Sequence, residues 1–480
     1  MSKIHQDEIR GVKDSCGLSV CSILACAHRI DRQSRNYALV APTRRGGKEI
    51  HVSSLARQTK SALLAAITVS ACFQSPGALR PARHINYWEA LADLHPDEAV
   101  EAAGTPSEKA FAQSLRSLME GDIDSAERGF GQLRRTANDS VIRTGSRVIY
   151  TATLQYQEKW RALAMLRSES SEPKADRSDR ASIERWATAF KDVPPKSLTF
   201  RSQTALLPMS VSAVGTPMIP VRIGGKSYNF WLDTGSSMTM LASDVAQDLH
   251  IVPLVPDTLE IVTSTGRVTA NPSLIPEMQI GQVVVRNAPT MIVTESMMRI
   301  SEPRPVDRST RMKLDGIIGF DIIRQLDIEV DYGEGTMRLR NPATSRHLSD
   351  RNMFWVGLPV VRITSTDGIP LHFGLDTGAQ LTFVTETLLD KLQLQAARTE
   401  SRRVGGLGGE ISLRAPVLPD LRVLVRGFPI LFKGAVVRAP VYQVLASLDG
   451  VLGGDVWNSG LVRIDMTNGI FAVSRPRSEF

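Results

Sequence analysis

The chain has 480 residues, a formal net charge of +7 and 42% hydrophobic residues, which leaves room for two or three domains with real cores. A basic balance fits acidic partners, nucleic acid or an anionic surface, but no zinc-finger spacing and no aromatic–basic RNA-binding signature accompanies it. The charge therefore reads as solvated surface, and no nucleic-acid partner is expected. Neither His-Glu-x-x-His nor Gly-x-Ser-x-Gly occurs, which removes the plainest metalloprotease and serine hydrolase readings, and no metal or cofactor is expected.

Residues 1–72 read as an N-terminal extension that holds all four cysteines, Cys16, Cys21, Cys26 and Cys72. Arg57 and Lys60 precede an apolar run from Ser61 to Ala71, too short to span a bilayer but suited to a signal-peptide core. Val69-Ser70-Ala71-Cys72 resembles a bacterial lipobox, in which the Cys is lipidated. This predicts a signal over about 52–72, a membrane tether through Cys72 and a location in a bacterial cell envelope; the alternative is a short buried helix in a cytoplasmic protein. Its distance from residue 1 is accounted for if translation begins near Val52. Ile23-Leu24-Ala25-Cys26 is a weaker rival, with a poorer apolar run and acidic residues upstream.

Residues 73–170 read as α-helical. Ala110 to Met119, the turn Glu120-Gly121-Asp122 and Ser125 to Leu133 form a helical hairpin pattern. Leu115, Gly121, Ala126 and Phe130 look like a tetratricopeptide repeat, and Tyr156 to Leu166 like part of a second copy. Such helices can pack on a neighbouring domain, bind a protein partner or act as a pro-region. Residues 171–196 read as a linker, because Ser168 to Arg180 is rich in serine and charge.

The rest of the chain is a repeat. Asp233-Thr234-Gly235 and Asp376-Thr377-Gly378 each follow an apolar, strand-like run. At the same offset Phe230 matches Phe373, Leu232 matches Leu375, Thr239 matches Thr382 and Gly266 matches Gly409. At slightly shorter offsets, as loop insertions produce, Asp315-Gly316-Ile317-Ile318-Gly319 matches Asp449-Gly450-Val451-Leu452-Gly453. Asp321 likewise matches Asp455, and Asp331 matches Asp465. Two homologous, mostly β lobes are expected, over 197–350 and 351–480. Each has strand–turn–strand before its Asp-Thr-Gly, then a short helix (Ser243 to Leu249, Glu386 to Leu392), and a closing strand–turn–strand.

These lobes resemble the retropepsin/pepsin aspartic protease superfamily. Asp233-Thr234-Gly235-Ser236-Ser237 looks like the pepsin form of the motif and Asp376-Thr377-Gly378-Ala379 like the retroviral form. Ile317-Ile318-Gly319 and Val451-Leu452-Gly453 look like the family's second signature. Lobe length is nearer to a retroviral subunit, so the resemblance implies two retropepsin-like β-barrel lobes fused in one chain, active as a monomer. It covers roughly the last three-fifths of the chain.

The chemistry needs these residue types. Two carboxylates about 3 Å apart share one proton. The ionised one can activate a water, and the protonated one can hydrogen-bond a scissile carbonyl. Asp233 and Asp376 are the candidate pair, with a polypeptide as substrate. Gly235 and Gly378 allow close backbone approach. The resemblance implies that the hydroxyls of Thr234 and Thr377 bond across to the opposite lobe. Ser236 can hydrogen-bond the Asp233 carboxylate where Ala379 cannot do so for Asp376, which predicts chemically unequal halves. The flap tips are expected at Ser264-Thr265-Gly266-Arg267 and at Gly405-Gly406-Leu407-Gly408-Gly409, neither with the Tyr of a pepsin flap. The second tip is not a phosphate loop, since it lacks Gly-Lys-Ser/Thr and leads into a strand. Asp315 and Asp449 read as turn or strand-end residues. An aspartic endopeptidase is the reading. A catalytically inactive peptide-binding module of the same fold and a scaffold built on the helices are the alternatives the sequence leaves open.

Overall fold

The computed structural model describes residues 86–166, 177–212, 215–301, 311–343, 351–396, 398–439 and 446–475. The cysteines, the apolar run before Cys72 and the proposed signal lie outside the described residues.

The N-terminal part is helical: α1 (Tyr87–Ala92), α2 (Pro96–Ala102), α3 (Pro106–Glu120), α4 (Ile123–Thr136), α5 (Ser140–Tyr156) and α6 (Trp160–Met165). The α3–α4 hairpin has clear local causes. Thr105 and Glu108 form a reciprocal capping box at the start of α3, and Gly121, at φ 82°, ends it in the left-handed region. Asp122 then caps α4 by accepting from the Ser125 amide at 3.1 Å. Phe111 and Phe130 meet edge-on at 5.3 Å between the two helices.

A seventh helix, α7 (Arg177–Phe190), occupies most of the span whose composition predicts a linker. Its last turn buries Ala187 and Phe190, and Phe190 lies 5.2 Å from the ring of Trp160 on α6. The charge count misses it because two apolar residues anchored on one face suffice to dock a short helix.

The first lobe contains β1 (Ser197–Phe200), β2 (Thr204–Pro208), β3 (Ser210–Val211), β4 (Pro217–Ile223), β5 (Lys226–Leu232), β6 (Met240–Ala242) and α8 (Ser243–Asp248). It continues with β7 (Leu259–Val262), β8 (Arg267–Ile280), β9 (Val283–Val293), β10 (Arg299–Ser301), β11 (Arg311–Lys313), β12 (Gly316–Ile318), α9 (Phe320–Ile323), β13 (Asp327–Asp331) and β14 (Thr336–Arg340). The second lobe contains β15 (Met353–Trp355), β16 (Pro359–Ser365), β17 (Pro370–Leu375), β18 (Phe383–Val384), α10 (Glu386–Leu392), β19 (Arg398–Gly406), β20 (Gly409–Val425) and β21 (Phe428–Val437). It closes with β22 (Gly450–Leu452), a 3-10 turn (Gly454–Ser459), β23 (Leu461–Asp465) and β24 (Ile470–Ser474).

The repeat becomes two matching barrels. In the first, β4-β5-β12-β6-β9-β8 pair in that order and β8 closes back on β4. In the second, β16-β17-β22-β18-β21-β20 do the same and β20 closes on β16. Closure removes free edges, and each interior is filled by apolar strand residues such as Val221, Phe230 and Ile275, or Val360, Phe373 and Val423.

The closing strand pairs of both lobes join in one sheet, β2-β14-β13-β23-β24, which ties the lobes together. Asp327 and Asp465 face each other across it. That like-charge contact is relieved by Arg463, which donates to both oxygens of Asp327 at 2.8 and 3.0 Å and to Asp465 at 3.2 Å.

The helices pack on this body. Tyr156 at the end of α5 stacks 4.5 Å from Trp355 of the second lobe. Arg324, beside α9 of the first lobe, sits 4.5 Å over the Tyr156 ring. Lys196, its side chain 2% exposed, holds Glu158 of the helical region at 2.5 Å and Asp321 of the first lobe at 3.0 Å.

Candidate active site

Each Asp-Thr-Gly follows a buried strand braced by the second signature. β12 runs parallel to β5, with Ile318 opposite Leu232, and the Asp233 amide donates to the Ile318 carbonyl at 3.0 Å. β22 repeats this beside β17, with the Asp376 amide on the Leu452 carbonyl at 3.0 Å. The glycines ending the signatures have no alternative. A Cβ on Gly319 would lie 2.3 Å from the Met238 carbonyl carbon, and one on Gly453 2.5 Å from that of Leu381.

The two loops meet tip to tip between the lobes. The Thr234 hydroxyl donates to the Leu375 carbonyl at 2.8 Å and accepts from the Thr377 amide at 3.0 Å. Thr377 reciprocates, donating to the Leu232 carbonyl at 2.8 Å and accepting from the Thr234 amide at 3.0 Å. All four bonds are buried and cross from one lobe to the other, as the resemblance implies.

This lock brings the Asp233 and Asp376 carboxyls together, each packed on the glycine of the opposite loop and close enough to act on the other's charge. Two carboxylates so placed favour holding one proton between them. Gly235 packs on the Asp376 carboxyl and Gly378 on that of Asp233; a Cβ would lie 2.3 Å from Asp376 Oδ1 and 2.5 Å from Asp233 Cγ, respectively. Burial first, and then the facing Asp376 carboxylate, push the Asp233 carboxyl well above the ordinary carboxylate range. The Gly235 and Ser236 amides pull the other way.

The expected inequality at Ser236 is not at the carboxylates. Its hydroxyl turns away and donates to the Met238 carbonyl at 2.7 Å. Its amide bonds Asp233 Oδ1 at 3.2 Å, and the Ala379 amide does the same for Asp376 at 3.1 Å. The turn geometry supplies the donor from the backbone, so the Ser/Ala difference leaves the two carboxylates alike in this respect.

Two supporting pairs were not singled out from the sequence as site residues. Thr239 accepts from the Gly319 amide at 3.2 Å and donates to Asp321 at 2.9 Å. Thr382 accepts from the Gly453 amide at 3.0 Å and donates to Asp455 at 2.7 Å. Each pair braces the segment after an Asp-Thr-Gly loop against its glycine signature, and their matching places in the repeat were the available signal. Burial pushes the Asp455 carboxyl up, against the hydrogen bonds from Thr382. Asp321 differs in having Lys196 beside it. Asp315 and Asp449 instead hold strand ends, accepting from the Asn229 amide at 2.9 Å and the His372 amide at 2.7 Å.

The predicted flap residues lie at hairpin tips. Ser264-Thr265-Gly266 joins β7 to β8, and Leu407-Gly408 joins β19 to β20. The tips touch each other, and the cleft beneath is lined by Asp233, Asp376, Trp231, Ile261, Ile300, Ile317, Leu381, Phe383, Leu407, Leu413 and Val436, with Arg402, Arg403 and Arg438 on the second lobe's side. Such a cleft suits an extended chain with apolar side chains. Among the described residues no cluster of His, Cys, Asp and Glu has the makings of a metal site, and no helix is long and apolar enough to cross a membrane.

Two segments, 219–322 and 361–456, each match the model of a family described as aspartyl protease. They cover the Asp-Thr-Gly loop and glycine signature of each barrel. No curated protein matches the chain. The two matches, one in each lobe, are consistent with a two-lobed, retropepsin-like aspartic protease.

Proposed function

We propose that this protein is an aspartic endopeptidase that uses Asp233 and Asp376 together, each from one lobe of the same chain, and so works as a monomer. The observation that carries this reading is the pair of facing carboxyls, one from each lobe, in a cleft roofed by two hairpins. One carboxylate takes a proton from a water held between the pair as its oxygen attacks the scissile carbonyl. The other, protonated, hydrogen-bonds the carbonyl oxygen and stabilises the charge that develops there. The C–N bond breaks as the leaving amine gains a proton from the pair, and no covalent intermediate forms. A substrate lying as an extended strand below the hairpins would be held by its main chain.

The test is cleavage of a diverse peptide library by the full chain, from acid to neutral pH, beside Asp233→Asn and Asp376→Asn. Cleavage abolished in both variants supports the reading. Peptides that bind without being cut would support the peptide-binding module instead.

Export with lipidation at Cys72 is part of the proposal, motivated by the apolar run and Val69-Ser70-Ala71-Cys72. Labelling with a fatty-acid analogue in a bacterial host, lost in Cys72→Ala, is the expected result; no labelling would refute it.

A further inference from the structure

A second cavity lies at the junction of the helical region and the two lobes, next to the cleft. Gly235 and Ser237, directly after the first catalytic Asp-Thr, line both. Its inner wall is apolar and buried, formed by Phe320 of the first lobe with Trp355 and Leu358 of the second, which are 4%, 7% and 7% exposed. Its outer wall comes from α5, through Ala152 and Tyr156. The Tyr156 ring lies 4.5 Å from Trp355 and 6.5 Å from Phe320, so three aromatic rings frame the space.

The charged groups in this wall are already engaged. Arg324 is taken up by Glu158 at 3.3 Å and by the face of Tyr156. Glu158 and Asp321 share Lys196. The rim is open where Ser237 and Gly357 are exposed, and Gly357, at φ 105°, carries no side chain to close it. An extended polypeptide lying across the dyad would therefore pass the mouth of an aromatic recess on one side of its scissile bond.

We propose that this recess is a substrate subsite completed by the helical region, which takes a large apolar or aromatic side chain of the bound polypeptide. The proposal rests on the endopeptidase reading and goes beyond it in making α5 part of the specificity machinery. A phenyl ring buried there removes enough apolar surface from water to favour it over hydrogen by about tenfold or more.

The test uses the full chain and statine-centred heptapeptides in which each position in turn is Gly or Phe, with affinities from calorimetry and kcat/KM from the matching cleavable peptides. In the wild type, one position on one side should prefer Phe by about tenfold or more. Ala152→Phe, which fills the recess from the helix, should abolish that preference and leave those at other positions unchanged. As a readout that needs no variant, a benzophenone side chain at that position should cross-link to residues 140–156. Cross-linking confined to the lobes, or a preference that persists in folded Ala152→Phe, would overturn the proposal, as would no Phe preference at any position. Failure of the endopeptidase reading looks different: the position-specific preference would appear in the inhibitor affinities while no peptide is cut.

Discussion

The hydroxyl of Thr265 donates to the carbonyl of Leu407 at 2.8 Å, joining a hairpin tip of the first lobe to one of the second over the cleft that holds Asp233 and Asp376. The roof is therefore closed, and a polypeptide enters only when the tips part. The contact tolerates little bulk. A Cβ on Gly406 would lie 2.9 Å from Ser264 Oγ, and one on Gly408, at φ 97°, 2.8 Å from Val268 Cγ1. Thr265→Val removes one hydrogen bond of about 1 kcal/mol and should lower kcat/KM several-fold. Gly408→Val adds a clash and a disfavoured backbone, and should cost more than Thr265→Val. Hydrogen exchange at residues 263–266 and 406–409 should quicken in both variants; unchanged exchange would contradict the closed roof.

The reciprocal threonines make a sharper prediction for stability. Thr234→Val strands the Leu375 carbonyl and the Thr377 amide, both buried between the lobes. Each lost partner costs about 1–3 kcal/mol. Urea unfolding should show a loss of several kcal/mol for Thr234→Val and near wild-type stability for Thr234→Ser, which keeps the hydroxyl.

In the proposed mechanism the dyad sets the pH dependence. The working form carries one proton, so activity should follow a bell, falling in acid as the pair becomes doubly protonated and in alkali as the shared proton leaves. Because burial and Asp376 raise the Asp233 carboxyl, the alkaline limb should lie well above the ordinary carboxylate range. The same shift bears on stability with the opposite sign from a salt-bridged carboxylate. The folded state holds the proton more tightly than the unfolded one, so ionisation costs stability as pH rises above the unfolded value. Asp233→Asn should therefore melt at or above the wild-type temperature near pH 8, a difference that vanishes at about pH 3. A lower melting temperature for the variant near pH 8 would contradict the raised carboxyl.

Lys196 joins the helical region to the first lobe. It is 2% exposed and pairs with both Glu158 and Asp321, the former also held by Arg324. Lys196→Met leaves these carboxylates buried without it, a change of about 3–5 kcal/mol in comparable sites. Denaturant melts should show that loss, together with faster proteolysis within 140–166. A double variant, Lys196→Met with Glu158→Gln, should recover part of it.

Much of the site was legible because its chemistry is local. Asp-Thr-Gly, the glycine signatures, the short helices after each catalytic loop and the Gly-rich tips all sit within runs whose turn and strand requirements are readable residue by residue. What escaped depends on long-range pairing. Ile328 to Asp331 and Val462 to Asp465 are readable as strands, but nothing in either run says that they pair across the lobes. The helix Arg177–Phe190 is hidden because its sequence is rich in charge, which masks the few apolar residues that dock it. The Ser236 hydroxyl goes to Met238 because a backbone amide already serves the carboxylate, a choice that only the turn geometry reveals. The Glu158–Lys196–Asp321 link joins residues of three separate segments.

The most direct measurement is the cleavage of one good peptide substrate by the full chain beside Asp376→Asn, with both proteins shown to bind a statine inhibitor and to melt cooperatively. The account predicts turnover by the wild type and a loss of at least about a thousandfold in the variant. Equal turnover by the two proteins, or none by a wild type that still binds the inhibitor, would contradict it.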